Sequence, residues 1–430
     1  MNRSTTVNKL AQILSWIVGL VLVLIPFHAF FTVWLGSNFG YYTALRLWKE
    51  FLLVLIALGA LVLLLRDKKM AKQLGSYWLV RIIGIYIVVT LVWGIVSYEL
   101  DKVSLKALGY GYIVNLRYLI FFVATLVIAT KSHWLKKVWL KLVLIPAAVV
   151  SVVGIIQRLL LPYDVLKHFG YGQSTIFPYE TINHNIRYPR VMSTLRGANP
   201  LGAYLLLITN VIAAKFIEQK SKRWMWGLFG FACTVTLILS YSRGAWLGFV
   251  VSISALLWAS LKSGRAKRAL EICALLVLIL GSLLLVSLHN NPTFQNVFFH
   301  TQTNSISNVS SNAGHASALR SGLHDAIHEP LGRGPGTAGS ASVYNHHQAR
   351  ISENYYIQIM QEVGWIGLAL FVAINYFVAK ELWKRRSNIL ALALFSSLLG
   401  LIVVNMFTHA WSDDTLAYLW WGLAGVAIAA

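Results

Sequence analysis

Apolar residues run along this chain in twelve long stretches, at roughly 10–35, 43–65, 77–97, 111–130, 134–160, 199–217, 223–240, 244–261, 269–288, 353–379, 388–408 and 414–430. Most approach the roughly 20 residues that a helix needs to cross the hydrocarbon core of a bilayer. The pattern therefore predicts an all-α polytopic membrane protein with about 12 transmembrane helices. Two of the polar intervals are long, at about 40 residues for 158–199 and about 64 for 289–352. The organisation expected is nine spans in 1–288, an extracytoplasmic (periplasmic) segment over 289–352, and three spans in 353–430. The first run is too long for a cleaved signal and reads as the first helix. The two halves show no matching pair of broken helices of the kind that inverted-repeat transporters carry.

The longer polar segment has its own pattern. Residues 301–317 are rich in Ser and Asn and read as mobile. From Ala318 to Glu329, Leu319, Leu323 and Ile327 recur four apart, which predicts a short amphipathic helix ending at Pro330. Gly332, Gly334, Pro335 and Gly336 then predict a tight turn. A loop this long inside a compact bundle is usually functional or disordered, and this one is expected to cap the outer mouth.

Charge adds an orientation. With the N-terminus inside, every inner segment is basic, and together these segments hold 21 of the 37 Lys and Arg residues, including Arg66, Lys68, Lys69, Lys215 and Lys262. The alternation persists through all twelve runs, as the positive-inside bias requires, so both termini are expected in the cytoplasm. Only 12% of residues are charged, against about 25% in a soluble domain. The net charge of +22 therefore comes from short clusters facing anionic headgroups, and nucleic acid is excluded as a partner. Cys233 and Cys273 lie inside apolar runs and imply neither a disulfide framework nor a Cys-based metal site.

Few charges remain for the outer side, and these are the candidates for chemistry. Arg196 precedes the run at 199–217, just before a helix start that Pro200 marks, where backbone N–H groups favour an anion. The bland alternative is an arginine snorkelling to the interface. Arg243, in Ser242-Arg-Gly244, is the sole charge between Arg223 and Lys262. An arginine at membrane depth costs at least about 2.5 kcal/mol and is a functional candidate by default; the alternative is an interface anchor beside Trp246. Glu353 and Asn354 open the run at 353–379, with Ser352 as expected N-cap. Glu353 reads either as a general base or as an acid favoured by the helix dipole. His346 and His347 are alternative bases, Arg117 at the outer start of its run is a further anion-site candidate, and Arg320 and His328 share the helix of the long segment. His324 and His328 are spaced for a metal, but no acid-rich partner accompanies them. Asp413 and Asp414 read as interface acids.

In chain order, Arg196-Gly-Ala-Asn-Pro-Leu-Gly202, Ser242-Arg-Gly244, Arg320 leading to His328-Glu-Pro-Leu-Gly-Arg-Gly-Pro-Gly336, Glu353-Asn-Tyr-Tyr-Ile-Gln358 and Glu362-Val-Gly-Trp-Ile-Gly367 form a series. The series resembles the O-antigen ligase and polymerase family over roughly residues 190–410. The resemblance implies a metal-independent GT-C type glycosyltransferase without cofactor, acting in lipopolysaccharide or other surface polysaccharide biosynthesis in the bacterial cytoplasmic (inner) membrane. It implies an undecaprenyl diphosphate-linked glycan as donor and a sugar hydroxyl of a lipid-linked glycan as acceptor, with inversion. Matching arginines, here Arg196 and Arg243, are implied to hold the diphosphate. Where that family carries a histidine before Asn, this chain carries Glu353. The ligase reading leads, with a polymerase of the same family as the alternative. A transporter or flippase of lipid-linked glycans should instead place ionisable groups near the bilayer midplane, and this sequence keeps nearly all of them at the ends of its apolar runs.

Overall fold

In the computed structural model, residues 3–182, 185–288, 290, 291, 294, 295 and 311–429 are described. Helices α1 (Arg3–Leu24), α2 (His28–Phe39), α3 (Tyr42–Arg46), α4 (Trp48–Arg66), α5 (Lys68–Gly75), α6 (Trp78–Glu99), α7 (Leu105–Lys131) and α8 (Trp134–Leu159) form the first half. A short antiparallel hairpin follows, β1 (Glu180–Ile182) and β2 (Asn185–Arg190). Then come α9 (Ala198–Glu218), α10 (Arg223–Leu239), α11 (Arg243–Ser260), α12 (Gly264–Ser287), α13 (Ser311–His328), α14 (Tyr355–Lys384), α15 (Ile389–Val404) and α16 (Asp414–Ile428). Each apolar run coincides with a helix, the first with α1 and α2 joined through a 3-10 turn at Ile25–Phe27. Among the described residues, eight helical stretches are long and apolar enough to cross a bilayer, and α10 and α15 are shorter apolar helices. The chain is an all-α polytopic membrane protein.

The turns sort to two ends of the bundle. At one end Lys131 pairs with Asp67, and Lys136 donates to the Ala429 carbonyl. At the other, Arg46 lies over Tyr110, Tyr110 stacks on Tyr344, Asn354 donates to the Met406 carbonyl, and the Val191 N–H bonds the Leu239 carbonyl. The second end gathers both long polar segments. This is the arrangement that an uninterrupted up-and-down traverse produces.

The middle of the bundle is α7, α9 and α16. Nearly every residue of α16 is buried, although it has only 15 residues. Trp411, Trp420, Trp421, Tyr118 and Phe122 pack as one aromatic cluster, with ring centroids 5.0 Å apart for Trp420 and Trp421 and 5.4 Å for Tyr118 and Trp421. The Tyr118 hydroxyl meets that of Tyr355, 3.0 Å away, at the start of α14. Small residues bring α11 against α15: a Cβ on Gly248 would stand 2.7 Å from the Gly400 carbonyl oxygen. Such close approach is how apolar helices gain contact where lipid offers no hydrophobic drive. It also sets the start of α11 beside Met406 and Phe407.

α14 departs from the single helix expected. Gly364 has φ +71°, outside the helical range, and breaks it after Val363. The break frees backbone groups, and the turn at 330–336 takes them up. The N–H groups of Arg333 and Gly334 bond the carbonyls of Gln361 and Glu362, each at 2.8 Å, and the Trp365 N–H bonds the Pro330 carbonyl at 3.0 Å. The buried Glu362 carboxylate accepts the Gly336 N–H at 2.7 Å and the Asn115 amide at 2.6 Å. Gly336 has φ +89°, and a Cβ there would stand 2.2 Å from the Ala107 carbonyl oxygen, so only glycine fits. The tight turn expected at 332–336 is thus a plug in a broken helix.

Candidate active site

α13 begins earlier than its pattern suggested. Of the tract read as mobile, 301–310 lies outside the described residues, and 311–317 is helix. Ala313, Ala316 and Ala318 favour that state, which a count of Ser and Asn overlooks. The helix is docked through its middle and C-terminal part. A Cβ on Gly322 would stand 2.7 Å from both Ile357 and Ser352. Gln361 donates to Asp325 at 2.8 Å, and the Trp365 indole donates to the Ala326 carbonyl at 3.0 Å. Past its end, Glu329 takes Arg350 at 2.8 Å and also pairs with Arg333.

This docking closes one side of a cavity of about 450 Å³ between the starts of α9, α11 and α14. Arg190, Arg243, His315 and Glu353 line its polar part; Leu247, Leu319, Met406 and Phe407 line the rest. The four apolar side chains are substantially exposed, Phe407 at 52%. The cavity therefore combines charged groups with apolar side chains in one lining. Two of its non-glycine residues have left-handed backbone, Tyr241 at φ +50° and Glu353 at φ +54°. Such conformations cost of order 1–3 kcal/mol each and gather at functional sites.

Glu353 does not lie in the first helical turn, as expected with Ser352 as cap. The cap is Asn354, whose side chain accepts the N–H groups of Tyr356 and Ile357 at 3.0 and 3.1 Å. Ser352 instead donates its hydroxyl proton to the Asn354 carbonyl at 3.1 Å. Shifting the cap by two residues takes Glu353 out of the helix and turns it into the cavity. There its carboxylate pairs with His315 Nδ1.

The structure brings Arg243 and Glu353 together and places the other named residues elsewhere. Arg196 lines a neighbouring cavity of about 230 Å³, with its Nε 3.8 Å from Asp413. The anion at the N-terminus of α9 is the chain's own: Glu180 accepts the Ala198 N–H at 3.1 Å and pairs with Arg190 at 2.9 Å. Arg117 lies inside α7 rather than at its start, because α7 begins six residues before the expected run. It is buried and paired with Glu50 at 3.2 Å and with Asp414, which in turn holds Lys49 at 3.0 Å and His28 at 3.4 Å. Asp413 and Asp414 are therefore not interface acids. Asp413 is buried, and its side chain caps α16 by accepting the Thr415 N–H at 3.0 Å. Asn354 is a cap, and Arg320 is exposed on α13 away from the cavity lining. His328 stacks on His324 at 4.0 Å between centroids, on the exposed face of α13. His346 is exposed, and His347 approaches the Asp101 carbonyl at 3.4 Å; neither lines the cavity.

Arg190, Asn199 and His315 are lining residues that pattern reading passed over. Arg190 donates to the Ser240 carbonyl at 3.0 Å and to Asn199 at 2.6 Å, fastening β2 to the ends of α10 and α9. Its only sequence signal was a charge in the first long polar segment. His315 was hidden by its Ser- and Asn-rich surroundings.

Residues 228–372 match the family model described as O-Antigen ligase. That stretch contains Arg243, His315, Glu353 and the break at Gly364, and it excludes Arg190 and Arg196. It supports the resemblance read from the motifs, over a narrower range. No curated protein matches the chain.

Proposed function

From the O-antigen ligase domain at 228–372 and the cavity within its reach, we propose that this protein transfers a glycan from an undecaprenyl diphosphate-linked donor to a sugar hydroxyl of a lipid-linked acceptor. The observation that carries the proposal is the two-part lining of the 450 Å³ cavity. Arg243 and Arg190 stand where a diphosphate would lie, and arginine is permanently charged and forked to match phosphate oxygens. Leu247, Leu319, Met406 and Phe407 offer an apolar wall for the first isoprene units.

Diphosphate is already a good leaving group. What the protein adds is positive charge where negative charge grows on the departing oxygen, and a group to accept the acceptor's proton. Glu353 and its partner His315 line the same cavity as Arg243 and offer groups for the second role. The basic turns at the opposite end of the bundle favour a cytoplasmic location for that end and for both termini, and on that orientation the cavity would open on the outer face of the cytoplasmic membrane.

Purified protein given an undecaprenyl diphosphate-linked sugar and a lipid-linked glycan should release undecaprenyl diphosphate only when the acceptor is present. Movement of the intact donor across a vesicle membrane, with its sugar–phosphate bond unbroken, would make it a flippase instead.

A further inference from the structure

Glu353 does not face the cavity alone, and the residue in contact with it lies nearly forty positions earlier, on α13. We propose that His315 is the catalytic base of the transfer and that Glu353 orients its ring; this deepens the transfer reading above and rests on it.

The geometry assigns the two roles. His315 Nδ1 is the nitrogen against the Glu353 carboxylate. In the neutral ring that nitrogen carries the proton and donates it to the carboxylate, which leaves the lone pair on Nε2. A carboxylate that fixes the tautomer of an imidazole and stabilises the imidazolium formed later is a recurring way to make a base. Both partners are held from outside. Glu353 is fixed in left-handed backbone between buried Ser352 and the capping Asn354. His315 is carried on a helix whose Gly322 sits against Ser352 and Ile357. The charged groups facing the ring are Glu353, Arg243 and Arg190.

The electrostatics suit a base. Burial first, and then Arg243 and Arg190, hold His315 below the ordinary imidazole value, so the ring is neutral at neutral pH. A neutral imidazole presents a free lone pair at neutral pH, whereas a carboxylate of ordinary pKa, about 4.3, is a weak base there. The step balances without a further reactant. The acceptor oxygen forms a bond to the anomeric carbon, the bond from that carbon to the diphosphate oxygen breaks, and its electron pair leaves with the diphosphate. The hydroxyl proton passes to His315 Nε2 and from there to water.

The test uses spheroplasts of the host, with their own undecaprenyl diphosphate-linked glycans, and reads undecaprenyl diphosphate released between about pH 5 and pH 9. The natural protein should lose rate on the acid side, at a pH below the ordinary imidazole value. His315→Ala should lower the rate by about 10²–10⁴-fold and remove that acid limb. His315→Gln, which keeps much of the volume, should not restore it. Glu353→Gln should slow transfer and move the limb to lower pH, because a negative charge that favours the imidazolium is gone. His315→Ala working within about threefold of the natural rate, with the limb intact, would overturn the proposal and leave the transfer reading standing. If His315→Ala does not accumulate in the membrane, an unmoved limb in Glu353→Gln overturns the proposal instead. A natural protein that releases no undecaprenyl diphosphate overturns both.

Discussion

Two cavities flank the N-terminal end of α9, and they use charge in opposite ways. Around Arg117, charges face each other: Glu50, Asp414, Lys49 and His28 close a network whose members are largely buried. Around Arg243, the arginine shares an open space with a histidine–carboxylate pair, an apolar wall and two strained backbone positions. The first joins α4, α7 and α16 where they meet. The second leaves room for something that is not protein. A buried arginine is thus a poor guide to function until its surroundings are known.

The largest effect expected from breaking this contrast is on stability. Arg117→Ala leaves Glu50 and Asp414 buried against a single lysine and His28. Removing one member of a buried ion network costs about 3–5 kcal/mol. Denaturant or thermal unfolding in detergent should show the protein strongly destabilised; an unchanged midpoint would mean that the network contributes nothing. Next comes Arg243→Ala. Its expected loss is about 10²–10³-fold in transfer, the range seen when one preorganised donor to a developing anion is removed. Its unfolding midpoint should stay close to that of the natural protein. A large drop in stability with transfer per folded molecule intact would reverse the roles assigned to the two cavities. The smallest effect is expected for Arg196→Ala. Arg196 is 54% exposed and faces Asp413 across 3.8 Å, so screening by solvent leaves the pair little to lose. Transfer should fall by less than about tenfold, on the scale of a single weak contact of about 1 kcal/mol. A loss as large as that of Arg243→Ala would place the diphosphate between the two cavities.

Much of the fold could be read from periodicity, because lipid imposes one rule on every span: satisfy the backbone internally and face hydrocarbon outside. Helix positions followed from that rule, and the distribution of Lys and Arg anticipated which turns share an end. What periodicity does not carry is contact between distant segments. The break at Gly364 looked like continuous helix, since its cause is the turn at 330–336 supplying the missing bonds. Asn354 won the cap from Ser352 by accepting two N–H groups at once, a choice that moved Glu353 by a fraction of a turn and changed what it faces. Arg243 and Glu353 were visible as rare charges at helix ends. His315 was not, because alanine-supported helix and serine-rich loop share much of their composition, and only the docking of Gly322 decides between them.

The plug in α14 has a mechanical consequence. Because the turn at 330–336 is hydrogen-bonded into the gap of a membrane helix, the C-terminal end of α13 is anchored to the scaffold, and Gly322 and the His315–Glu353 pair tie the helix to the start of α14. Imidazole and carboxylate are thereby referred to one frame, so a substitution that loosens the plug, remote from the cavity, should blunt the proton acceptor without altering a single lining residue.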